Sequence, residues 1–215
     1  MKKGILFDLD GTLLDTLQDL TDSVNYTLEK YGYPTRTVEQ IRQAVSNGAR
    51  NLIAQSMTGQ KDEALVDQAL SDYQAYYATH CQVKTRPYDG VLEVLREMKN
   101  RCPIGIVSNK PDRAVKPLCA DYFGEIYALG EQEGCPRKPA PDMVYRAMKE
   151  LGIDRCIYVG DSDVDVTTAR NAGVPCVCVL WGFRDREQLE AVGGTHFCDD
   201  PKTLVKLLTE MLESL

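Results

Sequence analysis

The chain has 215 residues, 43% of them hydrophobic and 27% charged, with a formal net charge of −7. This is enough apolar material for one large domain, or for one domain with an insertion, and it excludes a disordered chain. The acid excess, with no cluster of Lys and Arg, excludes a nucleic-acid partner or an anionic membrane surface, because affinity for phosphate backbones is built from clustered cations.

No apolar run approaches the roughly 18 residues of a membrane span. The apolar stretch after Lys3 also falls short of the roughly 7–15 residues of a signal-peptide core. A cytoplasmic protein is expected. The eight cysteines show no CxxC spacing and are expected to be reduced thiols. His80 and His196 have no metal-type companions in the sequence, and neither is assigned as a ligand.

In chain order, "GILFD" (4–8) reads as a buried strand that ends in an acid, with a second acid, Asp10, two residues on. Residues i and i+2 of a strand share a face, so two carboxylates there repel one another and resist desolvation. Something has to compensate them. Gly11 and Thr12 are expected to shape the turn that follows, and "DTLQ" (15–18) resembles a capping box opening a helix.

From about residue 15 to 83 the sequence shows helical stripes and no convincing strand. The stripes are Leu17, Leu20, Val24 and Leu28 up to Gly32, then Val38, Ile41 and Val45, then Leu52, Ile53 and Met57, then Leu65, Ala69, Tyr73 and Tyr77. The aromatic run "YQAYYATH" has helix-packing spacing and is read as core. An inserted helical domain over 16–83 is expected, leaving 1–15 and 84–215 for the remainder.

That remainder alternates. "IGIVSN" (104–109), "EIYAL" (125–129), "CIYVGD" (156–161) and "CVCVLW" (176–181) read as strands, most of them apolar on both faces. Between them lie helical stripes, Val91, Leu92, Leu95 and Met98 in one and Val144, Ala147, Met148 and Leu151 in another, and a terminal stripe follows over Leu204, Leu207, Leu208, Met211 and Leu212. Asp142 is expected to cap its helix, and Gly152 and Gly173 to stop theirs. Buried strands alternating with helices define an α/β fold, a doubly wound parallel sheet.

Ligands of such sheets bind beyond the carboxyl ends of the strands. The polar residues there are Asp8 and Asp10, then Ser108, Asn109 and Lys110, then Asp161, Asp163 and Asp165, with Lys138 in the loop "CPRKPAPD". Converging carboxylates need a cation, and oxygen ligands without His or thiolate select Mg²⁺. Ser108 and Lys138 supply donors for a phosphoryl group, which points to a phosphate ester as substrate. Two acids on one strand end also allow one to attack phosphorus while the other moves protons.

The segments "FDLDGTLLDT", "IVSNK", "RKPAPD" and "YVGDSDVDVTTARNAG" resemble, in order and in place, the four motifs of the haloacid dehalogenase superfamily. The insertion resembles its helical C1-type cap, and "LDTLQDLTDSVNYTLEKYG" with "VSNGARNLI" looks most like the phosphoglycolate phosphatase branch. The resemblance implies a Rossmannoid core and an Mg²⁺-dependent phosphatase working through an aspartyl-phosphate, with 2-phosphoglycolate as the leading substrate. It implies Asp8 as nucleophile and metal ligand, Asp10 as general acid/base whose carbonyl meets the metal, and Asp161 as the third ligand. Ser108 and Asn109 are implied to hold the phosphoryl group, Lys138 to neutralise it, and Asp165 to orient the metal site and Lys138. Asp163 is expected to be solvated.

Arg50, in "SNGAR", is the candidate for gripping the leaving group, in a cap that closes over the site. Trp181 either lines the same mouth or packs. A sugar phosphomutase, a pyrophosphatase, a nucleotidase and a phosphoacceptor signalling domain are the competing readings. Mutases of this superfamily carry a histidine where this chain has Leu20, and signalling domains need neither Asp10 nor a cap. A monomer or homodimer is expected.

Overall fold

The structure is a computed structural model and describes residues 1–45, 48–59 and 62–215. Ser46 and Asn47 of the "SNGAR" segment lie outside the described residues. The chain forms two units, Met1–Leu14 with Pro87–Leu215, and Asp15–Arg86.

The first unit is built on a six-stranded parallel sheet. In chain order its strands are β1 (Lys3–Phe7), β4 (Ile104–Pro111), β5 (Tyr127–Glu131), β6 (Arg155–Gly160), β7 (Cys176–Val179) and β8 (His196–Cys198), in spatial order β5-β4-β1-β6-β7-β8. Two short strands, β2 (Leu14–Asp15) and β3 (Arg86–Pro87), pair with each other where the chain leaves this unit and returns.

Central strands are apolar on both faces because helices cover both. Leu6, Val107, Cys156 and Tyr158 pack with Met143, Val144 and Ala147 of α7 (Asp142–Leu151) and with Ala169 of α8 (Asp163–Ala172). Helices α5 (Val91–Lys99) and α10 (Pro201–Ser214) pack against each other, α5 also on β4 and α10 also on β6 and β8. The remaining helices of this unit are α6 (Asp112–Phe123) and α9 (Arg186–Ala191).

Several sequence expectations shift. β5 begins two residues later than "EIYAL", because Gly105 of β4 pairs with Tyr127. β8 lies outside the five expected strands: its three residues, "HFC", carry no β-branched side chain and take their place only by pairing with β7. The helix after Pro141 has no side-chain cap, and Asp142 sits in its first turn instead, where the helix dipole favours an acid. Gly152 and Gly173 do end their helices in left-handed conformation. Leu92 is exposed, with Val94 taking its expected place in the core. All eight cysteines are free thiols; Cys178 is buried and Cys176 half-buried.

The second unit contains α1 (Leu17–Lys30), α2 (Val38–Ala44), α3 (Ala49–Ser56) and α4 (Glu63–His80). Leu17, Leu20, Val24 and Leu28 of α1 are buried, as are Ile41, Leu52, Ile53, Ala69, Tyr73 and Tyr77 of the other three helices. The aromatic run divides: Tyr73 and Tyr77 are core, whereas Tyr76 stacks between Tyr26 and His80 on the outside of α1 and α4. Val38 is exposed, contrary to its stripe. No capping box forms at "DTLQ"; Thr16 occupies the cap position without a side-chain bond. Asp19 is buried instead and accepts from the backbone N–H groups of Lys84 and Thr85, fastening the returning chain to α1. Among the described residues, no helix is long and apolar enough to cross a membrane.

Candidate active site

Strand β1 ends at Phe7, and Asp8 follows directly, its N–H held by the carbonyl of Val159 on neighbouring β6. β1 and β6 end at Phe7 and Gly160, and β4, paired with β1 as far as Ile106, carries Ser108 two residues further on, so Asp8, Ser108 and Asp161 lie toward the carboxyl end of the sheet. Asp8, Asp161 and Asp165 form a buried cluster in which one carboxylate oxygen from each lies within 4.8 Å of the others. All other acids of the described residues stand outside that cluster.

Lys138 enters it from the loop before α7. Its ammonium lies 2.9 Å from Asp8 Oδ1 and 2.7 Å from Asp165 Oδ1, and it donates to the Tyr158 hydroxyl at 3.0 Å. Asp165 spends its other oxygen on the start of its own helix: Oδ2 accepts from Ser162 N–H at 3.0 Å and from Ser162 Oγ at 2.6 Å. Both its oxygens therefore have donors, Lys138 on one and Ser162 on the other.

Asp161 is fixed by two donors. Thr12 Oγ1 donates to Oδ1 at 2.8 Å, and the N–H of Phe183, in the loop after β7, donates to Oδ2 at 2.8 Å. Space around it is tight. A Cβ on Gly11, which has φ +89°, would lie 2.3 Å from Asp161 Oδ2, and one on Gly182 would lie 2.4 Å from both Asp161 Cβ and the Gly11 carbonyl. Only glycine serves at these two positions. Trp181, half-buried, anchors the same loop by donating Nε1–H to the Thr12 carbonyl at 3.0 Å.

The electrostatics follow from three carboxylates sharing one buried ammonium. Burial, reinforced by the charge of Asp165, pushes the Asp8 carboxyl well above the ordinary carboxylate range despite the opposing pull of Lys138. Burial and the same neighbour raise Asp161 to about 7, against the bonds from Phe183 and Thr12. For Lys138, burial works to lower the pKa, but the charges of Asp165 and Asp8 outweigh it and raise it well above that of a free lysine. A cluster with more negative charge than its lysine balances, built of oxygen donors with no His or Cys, fits a hard divalent cation.

Asp8 and Asp10 were expected to share a strand face; the chain turns instead, and each finds its own lysine. Asp10 leaves the strand, forms an isolated bridge with Leu14, and accepts from Lys110 Nζ at 3.0 and 3.2 Å. Lys110 was visible in the sequence only as a polar residue at a strand end. Ser108 is buried, and its Oγ accepts from the N–H of Lys110 at 3.2 Å. Asn109 does not extend alongside it: its amide accepts from Lys138 N–H at 2.8 Å and donates to Lys138 C=O at 2.9 Å, clamping the lysine's backbone. Asp163, expected in solvent, pairs with the buried Arg184 at 3.1 Å.

Arg50 belongs to the second unit. There it donates Nε–H to Asp67 at 2.8 Å and NH2 to Glu63 at 2.5 Å, all at exposed positions.

Buried acids at the ends of parallel strands, beside a buried serine and a lysine held by a further carboxylate, make a setting suited to a phosphoryl group and a divalent cation. The comparisons agree. Residues 5–179 match the family of haloacid dehalogenase-like hydrolases. A phosphoglycolate phosphatase of Xanthomonas campestris is 36% identical over 200 residues, covering 85% of each chain. An N-acetylmuramic acid 6-phosphate phosphatase of Pseudomonas aeruginosa is 32% identical, covering 98% of this chain and 96% of its own. A crystal structure from Lactobacillus delbrueckii subsp. bulgaricus, 36% identical, superposes with a TM-score of 0.88 over 97% of this chain and 99% of the other. The chain belongs to the haloacid dehalogenase-like hydrolases, in their phosphoglycolate phosphatase-like branch, and it is a phosphatase.

Proposed function

We propose that the protein hydrolyses a small phosphate monoester, 2-phosphoglycolate foremost, with Mg²⁺ and through an aspartyl-phosphate on Asp8. The observation that carries this reading is the Lys138 ammonium set between Asp8 and Asp165, with Asp161 alongside. Phosphoglycolate as the substrate, with glycolate as the leaving alcohol, is supported by relatives named phosphoglycolate phosphatase.

In the first step an Asp8 carboxylate oxygen forms a bond to phosphorus, the bond from phosphorus to the ester oxygen breaks, and Asp10 gives that oxygen its proton, releasing an alcohol. In the second, water attacks phosphorus, Asp10 takes the water's proton, and the bond to Asp8 breaks to release inorganic phosphate. The Ser108 hydroxyl and the Lys138 ammonium hold the phosphoryl oxygens during transfer. Asn109 contributes by fixing the Lys138 backbone, and Asp165 by holding its ammonium. Asp8, Asp161 and the Asp10 carbonyl would hold Mg²⁺, which when bound would supply charge neutralisation between the Asp8 carboxylate and the phosphoryl group. The Arg50 guanidinium is proposed to recognise an anionic leaving group.

The relative acting on N-acetylmuramic acid 6-phosphate, matched over nearly the whole chain, favours a second reading in which the ester is a larger sugar phosphate. One assay separates them: phosphate release from 2-phosphoglycolate, sugar 6-phosphates, nucleotides and pyrophosphate, with Mg²⁺ and again with EDTA. Highest kcat/KM on phosphoglycolate, abolished by EDTA, supports the first reading. Preference for the sugar phosphate supports the second, and turnover undiminished by EDTA overturns the role of the metal.

A further inference from the structure

We infer that Lys110 is a positioning residue that aims the Asp10 carboxylate; this rests on the proton-transfer role of Asp10 proposed above. The ammonium meets both carboxylate oxygens, at 3.0 and 3.2 Å, and so restricts the rotation that a contact to one oxygen would leave free. The Lys110 side chain is 4% exposed and that of Asp10 18%, so the pair is shielded from competing water.

Asp10 needs such a restraint. It lies beyond the end of β1, in a turn secured by its own bridge to Leu14 and by the bond from Gly11 N–H to the Leu14 carbonyl. Neither contact touches its side chain. A general acid must stay within hydrogen-bond reach of the oxygen it protonates, and a short side chain on a turn does not hold that aim unaided.

Lys110 is also tied to the phosphoryl-binding position. It stands two residues after Ser108 on β4, and its N–H donates to Ser108 Oγ. One residue thus orients a hydroxyl through its backbone and a carboxylate through its side chain. The relative placement of the group that holds the phosphoryl and the group that protonates the leaving oxygen is set at a single point on a central strand.

A purely structural ion pair and a positioning contact differ in their leaving-group dependence. Protonation matters for an alkyl ester, whose departing alkoxide is strongly basic, and little for p-nitrophenyl phosphate, whose phenolate departs unaided. In Lys110→Met, kcat/KM for 2-phosphoglycolate should fall about 100-fold, mostly in kcat, while that for p-nitrophenyl phosphate falls far less. In an Asp10→Asn background the same substitution should add no further alkyl-selective loss. If Lys110→Met does not fold, Lys110→Gln, which keeps a donor without the charge, should show a smaller split in the same direction. Equal losses on both esters, or fully additive losses in the double variant, overturn the inference. If Asp10→Asn itself shows no split, the proton-transfer role fails and the inference falls with it; if Asp10→Asn shows the split and the Lys110 variants do not, the inference alone fails.

Discussion

Thr12 donates its hydroxyl to Asp161 across 2.8 Å, joining the turn after the first strand to the end of the fourth strand of the main sheet in chain order. Both groups are buried, and the bond favours the ionised carboxylate against the burial and the Asp165 charge, which still hold it up at about 7 with the bond in place. Thr12→Val keeps the shape and removes the donor. The variant should lose about 1–2 kcal/mol of the stabilisation of ionised Asp161, so about tenfold more Mg²⁺ should be needed for half-maximal phosphate release at pH 7. Because the deficit is a proton held more tightly, it should shrink at pH 9. A Mg²⁺ titration at the two pH values checks this, and an identical deficit at both contradicts it.

The same cluster sets how stability varies with pH. Asp8 and Asp161 hold their protons to a higher pH in the folded protein than in the unfolded chain. Between the ordinary carboxylate range near pH 4 and about pH 7 for Asp161, the unfolded state has released protons that the folded state retains, so stability falls as pH rises. The raised pKa of Lys138 acts only above its ordinary lysine value and does not oppose this window. In EDTA the melting temperature should decline from pH 5 to pH 8, and added Mg²⁺ should restore it more at pH 8 than at pH 5. A melting temperature that is flat or rises over this range, or a Mg²⁺ effect larger at pH 5, contradicts the account.

Asp8→Asn separates catalysis from stability. Losing the nucleophile should abolish phosphate release. Removing a buried charge that opposes Asp161 and Asp165 should leave the metal-free protein at pH 8 as stable as the parent or more so, since Lys138 keeps its bond to Asp165. Thermal unfolding in EDTA beside a phosphate-release assay tests both halves. A folded variant with near-parental turnover rules out Asp8 as nucleophile.

Local patterns carried most of what could be read beforehand. β1, β4, β6 and β7 announce themselves because buried parallel strands are apolar throughout. Asp8, Asp161 and Lys138 stand out as polar residues ending such strands or filling the loops beyond them. What escaped depends on tertiary pairing. β8 exists because β7 offers it an edge. Lys110 and Asp10 are 100 residues apart, and nothing in either segment marks their partnership. The family resemblance implies that Asn109 assists Ser108, but nothing in the local sequence marks the two bonds its amide makes to the Lys138 backbone. Gly11 is legible as a turn residue, but nothing in either local segment marks that the Asp161 carboxylate is pressed against both Gly11 and Gly182.

Arg50 gives the last prediction. Its guanidinium is exposed and shared between Glu63 and Asp67, and exposed pairs of this kind contribute little to stability. Arg50→Ala should therefore leave the melting temperature almost unchanged. If the guanidinium recognises an anionic leaving group, the variant should raise KM for 2-phosphoglycolate about tenfold while leaving KM for a neutral alkyl phosphate within about twofold, the loss of one ion-pair contact made in the bound state. Glu63→Gln with Asp67→Asn should then act in the opposite direction, because a guanidinium released from its two carboxylates is available to the substrate without first breaking those bonds. Steady-state kinetics of the variants on the two esters decides it. An Arg50→Ala KM unchanged on both esters means that the arginine serves only its own helices.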